Sequence, residues 1–296
     1  AANSRRSIKS KCMRSSSVFA AGRLCHCRIV PRRAAGHNRA VDCHKDRRMS
    51  LTLLEIIALT GIFTLAGTVK GAIGLGLPTV SMGMLSLMMP PGQAAALLLL
   101  PSLVTNLWQL LCGPRLGALC RRLWPMMLCV TLGTLLSAGA LTATDGRLAP
   151  LALGVCLIGY ALLGFTRFDW RVSATAEPWL GSLCGLVTGA LTGATGVFVI
   201  PAVPYLNALG LARDDLVQAL GLSFTVSTLA LAAGLAWHQA LPGALLGGSL
   251  LALLPALGGM WLGGIVRRHS SPLIFRRLFF IGLLILGIEI VWRSIN

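Results

Sequence analysis

One lysine lies inside a glycine-rich stretch of a mainly apolar chain. Lys70 is followed by Gly71, Gly74, Gly76 and Pro78 within nine residues. An ordinary helix cannot continue through this stretch, because glycine is too flexible and proline lacks an amide hydrogen. In hydrocarbon the freed backbone groups need a partner, and amide hydrogens at the start of a new helix attract anions. A cation at such a break is a functional candidate, so the stretch predicts an anion site.

A looser copy of this stretch occurs in the second half of the chain. It has Thr188 at the position of Lys70, followed by Gly189, Gly193 and Gly196. Broken apolar segments at corresponding positions of two halves are typical of the substrate site of a secondary transporter. The glycines are also small-xxx-small packing motifs, an interpretation compatible with a substrate site. The alternative for the lysine is a side chain that extends from a helix end toward the membrane surface.

Polar side chains on two predicted spans could line a path for the same solute. Asn106 shares a helix face with Ser102 and Gln109, and Ser227 lies one turn after Ser223. For any single hydroxyl, the alternative is a hydrogen bond between helices or to the preceding turn. The predicted substrate-binding residues are Lys70, Gly71, Gly74, Gly76, Pro78, Asn106, Thr188, Gly189, Gly193, Gly196 and Ser227.

Motifs for catalysis or cofactor binding do not occur after the first 50 residues. No two carboxylates are spaced within a span for acid–base chemistry, and Lys70 precedes its glycines, unlike the lysine of a phosphate-binding loop. We therefore predict no catalytic residue, no cofactor and no metal site, and a protein that is not an enzyme. Without a coupling ATPase domain, transport would be secondary or channel-like.

Composition places the chain in the membrane. Of 296 residues, 55% are hydrophobic and only 12% are charged, against about 25% charged in soluble domains. Apolar stretches of about 20 residues recur after Leu51 and predict a polytopic all-α membrane protein. Half of the 26 Lys and Arg residues lie in positions 1–48. The net charge of +17 is thus concentrated in one tail, which argues against a nucleic-acid partner and leaves membrane lipid as the expected surroundings.

The basic tail, residues 1–48, is rich in Arg, Ser and Ala and lacks a hydrophobic period. This composition is typical of a targeting segment. Alternatively, Met49 is the natural start and the tail is not part of the mature protein. Either interpretation predicts a disordered segment.

The spans divide into two four-helix halves with glycine-broken helices. The first repeat covers 51–165, the linker 166–177 and the second repeat 178–293. About eight transmembrane helices are expected near 51–70, 93–112, 123–143, 147–165, 178–194, 215–236, 240–262 and 273–292, with short arms at 79–89 and 197–209 after the breaks.

Positive charge constrains the topology. One basic loop carries Arg115, Arg121 and Arg122, and another lies between Arg267 and Arg277. The positive-inside rule places both in the cytoplasm, whereas eight simple crossings would place them on opposite faces. An inverted repeat with an odd number of crossings per half, or one asymmetric arm, removes the conflict.

These stretches resemble the sulfite exporter TauE/SafE family. The resemblance lies in Gly67–Pro78, Gly185–Pro201 and Asp215–Ala230, and it extends over about 51–292. It implies a duplicated four-plus-four helical fold in a bacterial inner membrane. It also implies transport of a small anion such as sulfite or an organosulfonate, with proton coupling and homo-oligomerisation left open. The sequence departs from the family pattern by having Gly74-Leu75-Gly76-Leu77 in place of three successive glycines. The alternative functions are a passive anion channel and a non-transporting membrane assembly factor.

Overall fold

The computed structural model describes residues 53–142, 147–166, 171–241, 243–269 and 272–296. The tail predicted over 1–48 lies outside these residues. Ten α-helices occupy most of the described chain: α1 (Leu53–Ile73), α2 (Leu77–Ser86), α3 (Pro91–Leu111), α4 (Leu116–Thr142), α5 (Leu148–Phe165), α6 (Glu177–Thr195), α7 (Ala202–Ala208), α8 (Arg213–Trp237), α9 (Gly243–His269) and α10 (Pro272–Ile295).

All eight predicted long helices form, and the two predicted arms are the short helices α2 and α7. The largest errors in the boundaries concern charged helix ends. Helix α4 begins at Leu116, before Arg121 and Arg122, and α9 continues past Arg267 to His269. Apolar patterning misses these turns because a helix can extend into water beyond the apolar segment that it uses to cross a membrane.

Seven of the described helices are long and apolar enough to cross a membrane: α1, α3, α4, α5, α8, α9 and α10. Their outer surfaces expose large apolar side chains such as Leu136 and Leu254. Helix α6 has 19 residues, including four glycines, and is not one of the seven. The chain is therefore an all-helical polytopic membrane protein, as predicted from composition.

Two parallel helix pairs, α1 with α9 and α4 with α6, are held close by glycines. A Cβ at Gly67 would lie 2.2 Å from the carbonyl oxygen of Ala256, and one at Gly263 would lie 2.1 Å from that of Thr68. In the other pair, a Cβ at Gly189 would lie 2.2 Å from the carbonyl oxygen of Val130. Because only glycine fits these contacts, the two backbones can approach closely. Each pair joins one helix from the first half of the chain to one from the second.

Helices α3 and α8 form an antiparallel pair between these two. Near the start of α8, Gln218 contacts Leu110 and Gly113 at the end of α3. Helices α5 and α10 are also antiparallel, with Gly154 against Gly287 and Gly164 against the ring of Phe280.

The pairings place both arginine-rich turns at one end of the helices. We call this end the basic face; it holds the end of α3, the start of α4, the start of α8 and the α9–α10 turn. Ser249 bonds to the Leu97 carbonyl at 2.7 Å, which places the start of α9 near the start of α3 at the opposite face. Both α1 and α3 therefore run toward the basic face, and the segment containing α2 returns the chain between them. Helix α7 does the same between α6 and α8.

Candidate functional site

A buried lysine links the first break to the centre of the bundle. Lys70 lies in the last turn of α1 and is 3% exposed. Its Nζ donates a hydrogen bond to Oδ1 of Asn106 on α3. Within the described part of the chain it makes no ion pair with an acidic side chain. Burying a cation without a counter-ion costs several kcal/mol, so the charge calls for an anionic partner.

The polar contacts continue from Asn106 to a third helix. Nδ2 of Asn106 donates to the hydroxyl of Thr228 on α8 at 3.3 Å, and that hydroxyl donates to the Phe224 carbonyl at 2.7 Å. Lys70, Asn106 and Thr228 therefore connect α1, α3 and α8. Sequence reasoning selected Ser227 instead of Thr228 as the α8 residue of the site. The hydroxyl pattern of α8 indicated this region of the helix but not which hydroxyl would face Asn106.

Several buried hydroxyls lie on helices near this chain of contacts and have no hydrogen-bond partner. Ser102 lies one turn before Asn106 on α3, and Ser227 precedes Thr228 on α8. Buried polar atoms without partners are rare, and each needs an explanation, such as an unseen water or a solute. Within the described residues, the unpartnered oxygens belong to Thr79, Ser81, Ser102, Thr188, Ser223 and Ser227.

The first break ends α1 and starts α2 with two glycines in the left-handed region. Gly74 has φ +88° and Gly76 has φ +109°. Gly76 is the N-cap of α2 and provides no side chain to cap the helix, and the first turn, which contains Pro78, is buried. The partial positive charge of this helix start is therefore not offset by a side-chain cap. A Cβ at Gly74 would meet nothing within 4 Å, so open space borders the break.

The second break is packed differently. Gly196 has φ +73° and ends α6, and a non-helical stretch then leads to the seven-residue α7. A Cβ at Gly196 would lie 2.8 Å from the Met82 side chain of α2, so an element of the first half fills the space beside this break. Thr188 is fully buried on α6.

Three of the predicted site glycines lie at helix–helix contacts. A Cβ at Gly71 would lie 2.1 Å from the Met260 carbonyl oxygen, and one at Gly193 would lie 2.4 Å from that of Thr134. Gly189 has the matching contact with Val130 described above. Packing alone accounts for glycine at these three positions. Contact between their backbone and a substrate stays a prediction.

The grouped side chains can bind an anion by charge and by hydrogen bonds. Lys70 supplies a cation, Asn106 an amide, and the hydroxyls can each donate one hydrogen bond. Asn106, Ser102 and Ser227 are fully buried, so water does not reach them in this conformation. A solute can reach the site only if the helices around it rearrange.

The comparison with protein families identifies the family of the chain. The family model for the sulfite exporter TauE/SafE matches residues 59–290, which include every helix named above in whole or in part. No curated protein and no solved structure matches the chain. A match over most of the chain establishes its family: the protein belongs to the sulfite exporter TauE/SafE family.

Proposed function

We propose that the protein is a secondary transporter that moves a small anion, of the sulfite or organosulfonate type, past Lys70. Family membership supports membrane transport of a sulfite-like solute. The observation that carries the assignment of the site is the buried amine of Lys70, positively charged when protonated, which bonds to Asn106 and has no acidic partner in the described residues. An anion would neutralise this charge, and its oxygens would accept hydrogen bonds from the unpartnered hydroxyls.

The two halves form an inverted repeat in this proposal. The pairing of α1 with α9 is matched by that of α6 with α4, and both pairs are parallel. Pro125 lies eight residues before the contact glycine Gly133 in α4, and Pro255 lies eight before Gly263 in α9. Transporters built from inverted repeats expose a central site to each face in turn by moving one repeat against the other. The full burial of the site supports such alternating access over an open channel.

The basic face is cytoplasmic in this proposal. It carries most of the described arginines, and positive charge is retained on the cytoplasmic side of inner membranes. Exposed tryptophans near both ends of the helices would lie at the two membrane–water interfaces. On the basic half these are Trp108, Trp124, Trp179 and Trp261, and on the opposite half Trp237 and Trp292.

The experiment that tests this function is flux into proteoliposomes containing the full chain. Sulfite and sulfoacetate are supplied separately, with and without a proton gradient. We expect saturable uptake of at least one of them, and a response to the gradient would identify a proton as the coupling ion. Uptake that never saturates would favour a channel. Absence of flux from folded protein for any small anion would contradict the proposal.

Lys70→Met tests the site itself, because methionine keeps the length of the side chain and removes the charge. We expect uptake to fall roughly 100-fold or more, about 2.7 kcal/mol of lost attraction to the anion. The melting temperature should not fall, because no buried cation remains to be desolvated. Wild-type flux at limiting and saturating anion would remove Lys70 from the site.

A further inference from the structure

We propose that the basic face carries a one-sided latch, formed by Gln218 and two ion pairs, that favours the conformation closed on that face. The proposal rests on the alternating access described above. It assigns to these residues a role in the balance between the two conformations, which is separate from binding the anion.

The glutamine joins α8 to the turn between α3 and α4. Nε2 of Gln218 donates to the carbonyl oxygens of Leu110 at 2.9 Å and Gly113 at 2.8 Å, and its Oε1 accepts from the amide of Arg115 at 2.9 Å. The side chain therefore satisfies three backbone groups of a helix end that would otherwise be unpaired. Gly113 makes room for it, since a Cβ there would lie 2.4 Å from the Gln218 side-chain amide.

Two ion pairs on the same face also connect the halves. Arg115 Nη1 lies 3.4 Å from an oxygen of Asp215 on α8. Arg122 forms a two-pronged pair with Glu177 at the start of α6, at 2.5 and 2.8 Å. A paired fork between guanidinium and carboxylate is directional, so it fixes the relative position of α4 and α6 at this end.

The equivalent glutamine at the opposite face makes no such contact. Gln93 lies near the start of α3, as Gln218 does in α8, 125 residues later. Its side chain is exposed and forms no hydrogen bond with the described residues. The turn that Gln93 would cap follows α8. Its backbone groups bond to each other, because the Ala240 amide donates to the Leu235 carbonyl at 2.8 Å. These two groups correspond to the Arg115 amide and the Leu110 carbonyl that Gln218 bridges.

Sequence differences between the two turns explain why Gln218 is bonded and Gln93 is not. His238 stands where the basic face has Gly113, a position at which a Cβ would lie 2.4 Å from the bridging glutamine. Gln239 stands where the basic face has Pro114 and adopts φ +54°, which lets the turn close on itself. Proline cannot adopt that angle, so the basic-face turn depends on Gln218.

Among the described residues, the opposite-face positions that correspond to Asp215, Glu177 and Arg122 carry no charge. Pro90 corresponds to Asp215, and the positions that match Glu177 and Arg122 hold the apolar residues Leu59 and Ala252. A cavity of about 680 Å³ opens on this face, lined by residues that include Ser86, Met88, Gln93, Leu141 and Gln239. Interactions that exist in one conformation only shift the equilibrium toward it by their free energy. The latch therefore favours conformations in which the basic face is closed.

Distances between spin labels test the latch without any substrate. In the full chain with its native cysteines replaced, one label pair is placed at Gly117 and Asp214 across the basic face. Both residues are exposed, and a Cβ at Gly117 meets nothing within 4 Å. A second pair at Met88 and Trp237 reports on the opposite face.

Gln218→Leu should enlarge the population with a long basic-face distance at least roughly fivefold, because three hydrogen bonds are lost. The opposite-face distance should shorten in the same population. Gln93→Leu, the matched control, should leave both distributions as in the wild type. If Gln218→Leu does not fold, Arg115→Ala provides the test and Arg121→Ala its control, since Arg121 has no ion pair in the described chain.

Unchanged basic-face distances in both folded Gln218→Leu and Arg115→Ala would overturn the proposal. Equal opening by Gln93→Leu would overturn it as well, because the effect would not be specific to the latch. The readout is independent of the transported solute. Loss of anion flux in the wild type would contradict the proposed function and leave the distance result unaffected.

Discussion

The helices that precede the two glycine breaks pack in the same way, but the two breaks differ in their chemistry. In both, the preceding helix uses glycines to lie against a helix of the other half, as Gly71 does against Met260 and Gly189 against Val130. The first break has a buried cation at Lys70, whereas the second has the uncharged Thr188 at the same place. Both halves therefore have the same glycine-mediated helix contacts, but only the first half has an ionisable side chain at its break.

The short helices that follow the two breaks, α2 and α7, also differ. Helix α2 has ten residues and α7 has seven, and neither has a side-chain cap at its start. Helix α2 also packs against the second break through Met82. We infer that the first half supplies the attraction for the anion and the second half completes the enclosure.

The largest expected effect comes from the shared packing. Gly71→Val and Gly189→Val should each abolish folded protein, because the new Cβ would lie 2.1 or 2.2 Å from a backbone oxygen of the neighbouring helix. Gly61→Val on α1 is the control, since nothing lies within 4 Å of its Cβ position. The measurement is the monodisperse fraction on size exclusion in detergent. If Gly189→Val folds normally while Gly71→Val does not, the contact between Gly189 and Val130 is not required for folding.

The next largest effect tests whether the charge of the first half attracts the anion. Asn106→Asp places a carboxylate beside Lys70, so the cation gains a partner within the protein and the anion is repelled. We expect the KM for anion uptake to rise roughly 30-fold, about 2 kcal/mol. Gln109→Glu, one turn away and bonded to the Val217 carbonyl at 3.0 Å, adds the same charge to the same helix and is the control. An equal rise in KM for the two variants would indicate that the added negative charge repels the anion from a distance and not at a site beside Lys70.

A hydroxyl without a protein partner should matter for uptake and not for folding. Ser227→Ala removes such a hydroxyl, whereas Thr225→Val removes one that already donates to the Gly221 carbonyl at 2.7 Å. We expect Ser227→Ala to weaken uptake roughly five- to tenfold, the value of one ordinary hydrogen bond, with an unchanged melting temperature. Thr225→Val should change uptake less than twofold. The reverse order would place the solute on another face of α8.

Much of the fold followed from sequence, because apolar length and glycine breaks are local properties. The eight long helices and the two arms were predicted from them. The partner of Lys70 was not, since Asn106 is 36 residues away and the contact depends on how α1 meets α3. Asn106 was selected only as a polar residue on an apolar span.

The role of Gln218 was also beyond the sequence. Gln93 and Gln218 lie at matching helix starts in the two halves, and nothing local distinguishes them. The difference lies in the turns that they face, Gly113-Pro114 and His238-Gln239, which are distant in sequence from each glutamine. Such pairings are determined by tertiary packing, so only the assembled helices reveal which glutamine is bonded.

The smallest expected effect is a difference in stability between alanine substitutions at the two breaks. Gly74 and Gly196 both have positive φ, so an alanine at either should cost about 1 kcal/mol of unfolding free energy. Gly196→Ala must in addition displace the Met82 side chain, which lies 2.8 Å from the new Cβ, whereas Gly74→Ala enters open space. We therefore expect the melting temperature to fall further for Gly196→Ala. If Gly74→Ala proves the more damaging, the space beside the first break is not free, and the contrast between an open first break and a filled second break is wrong.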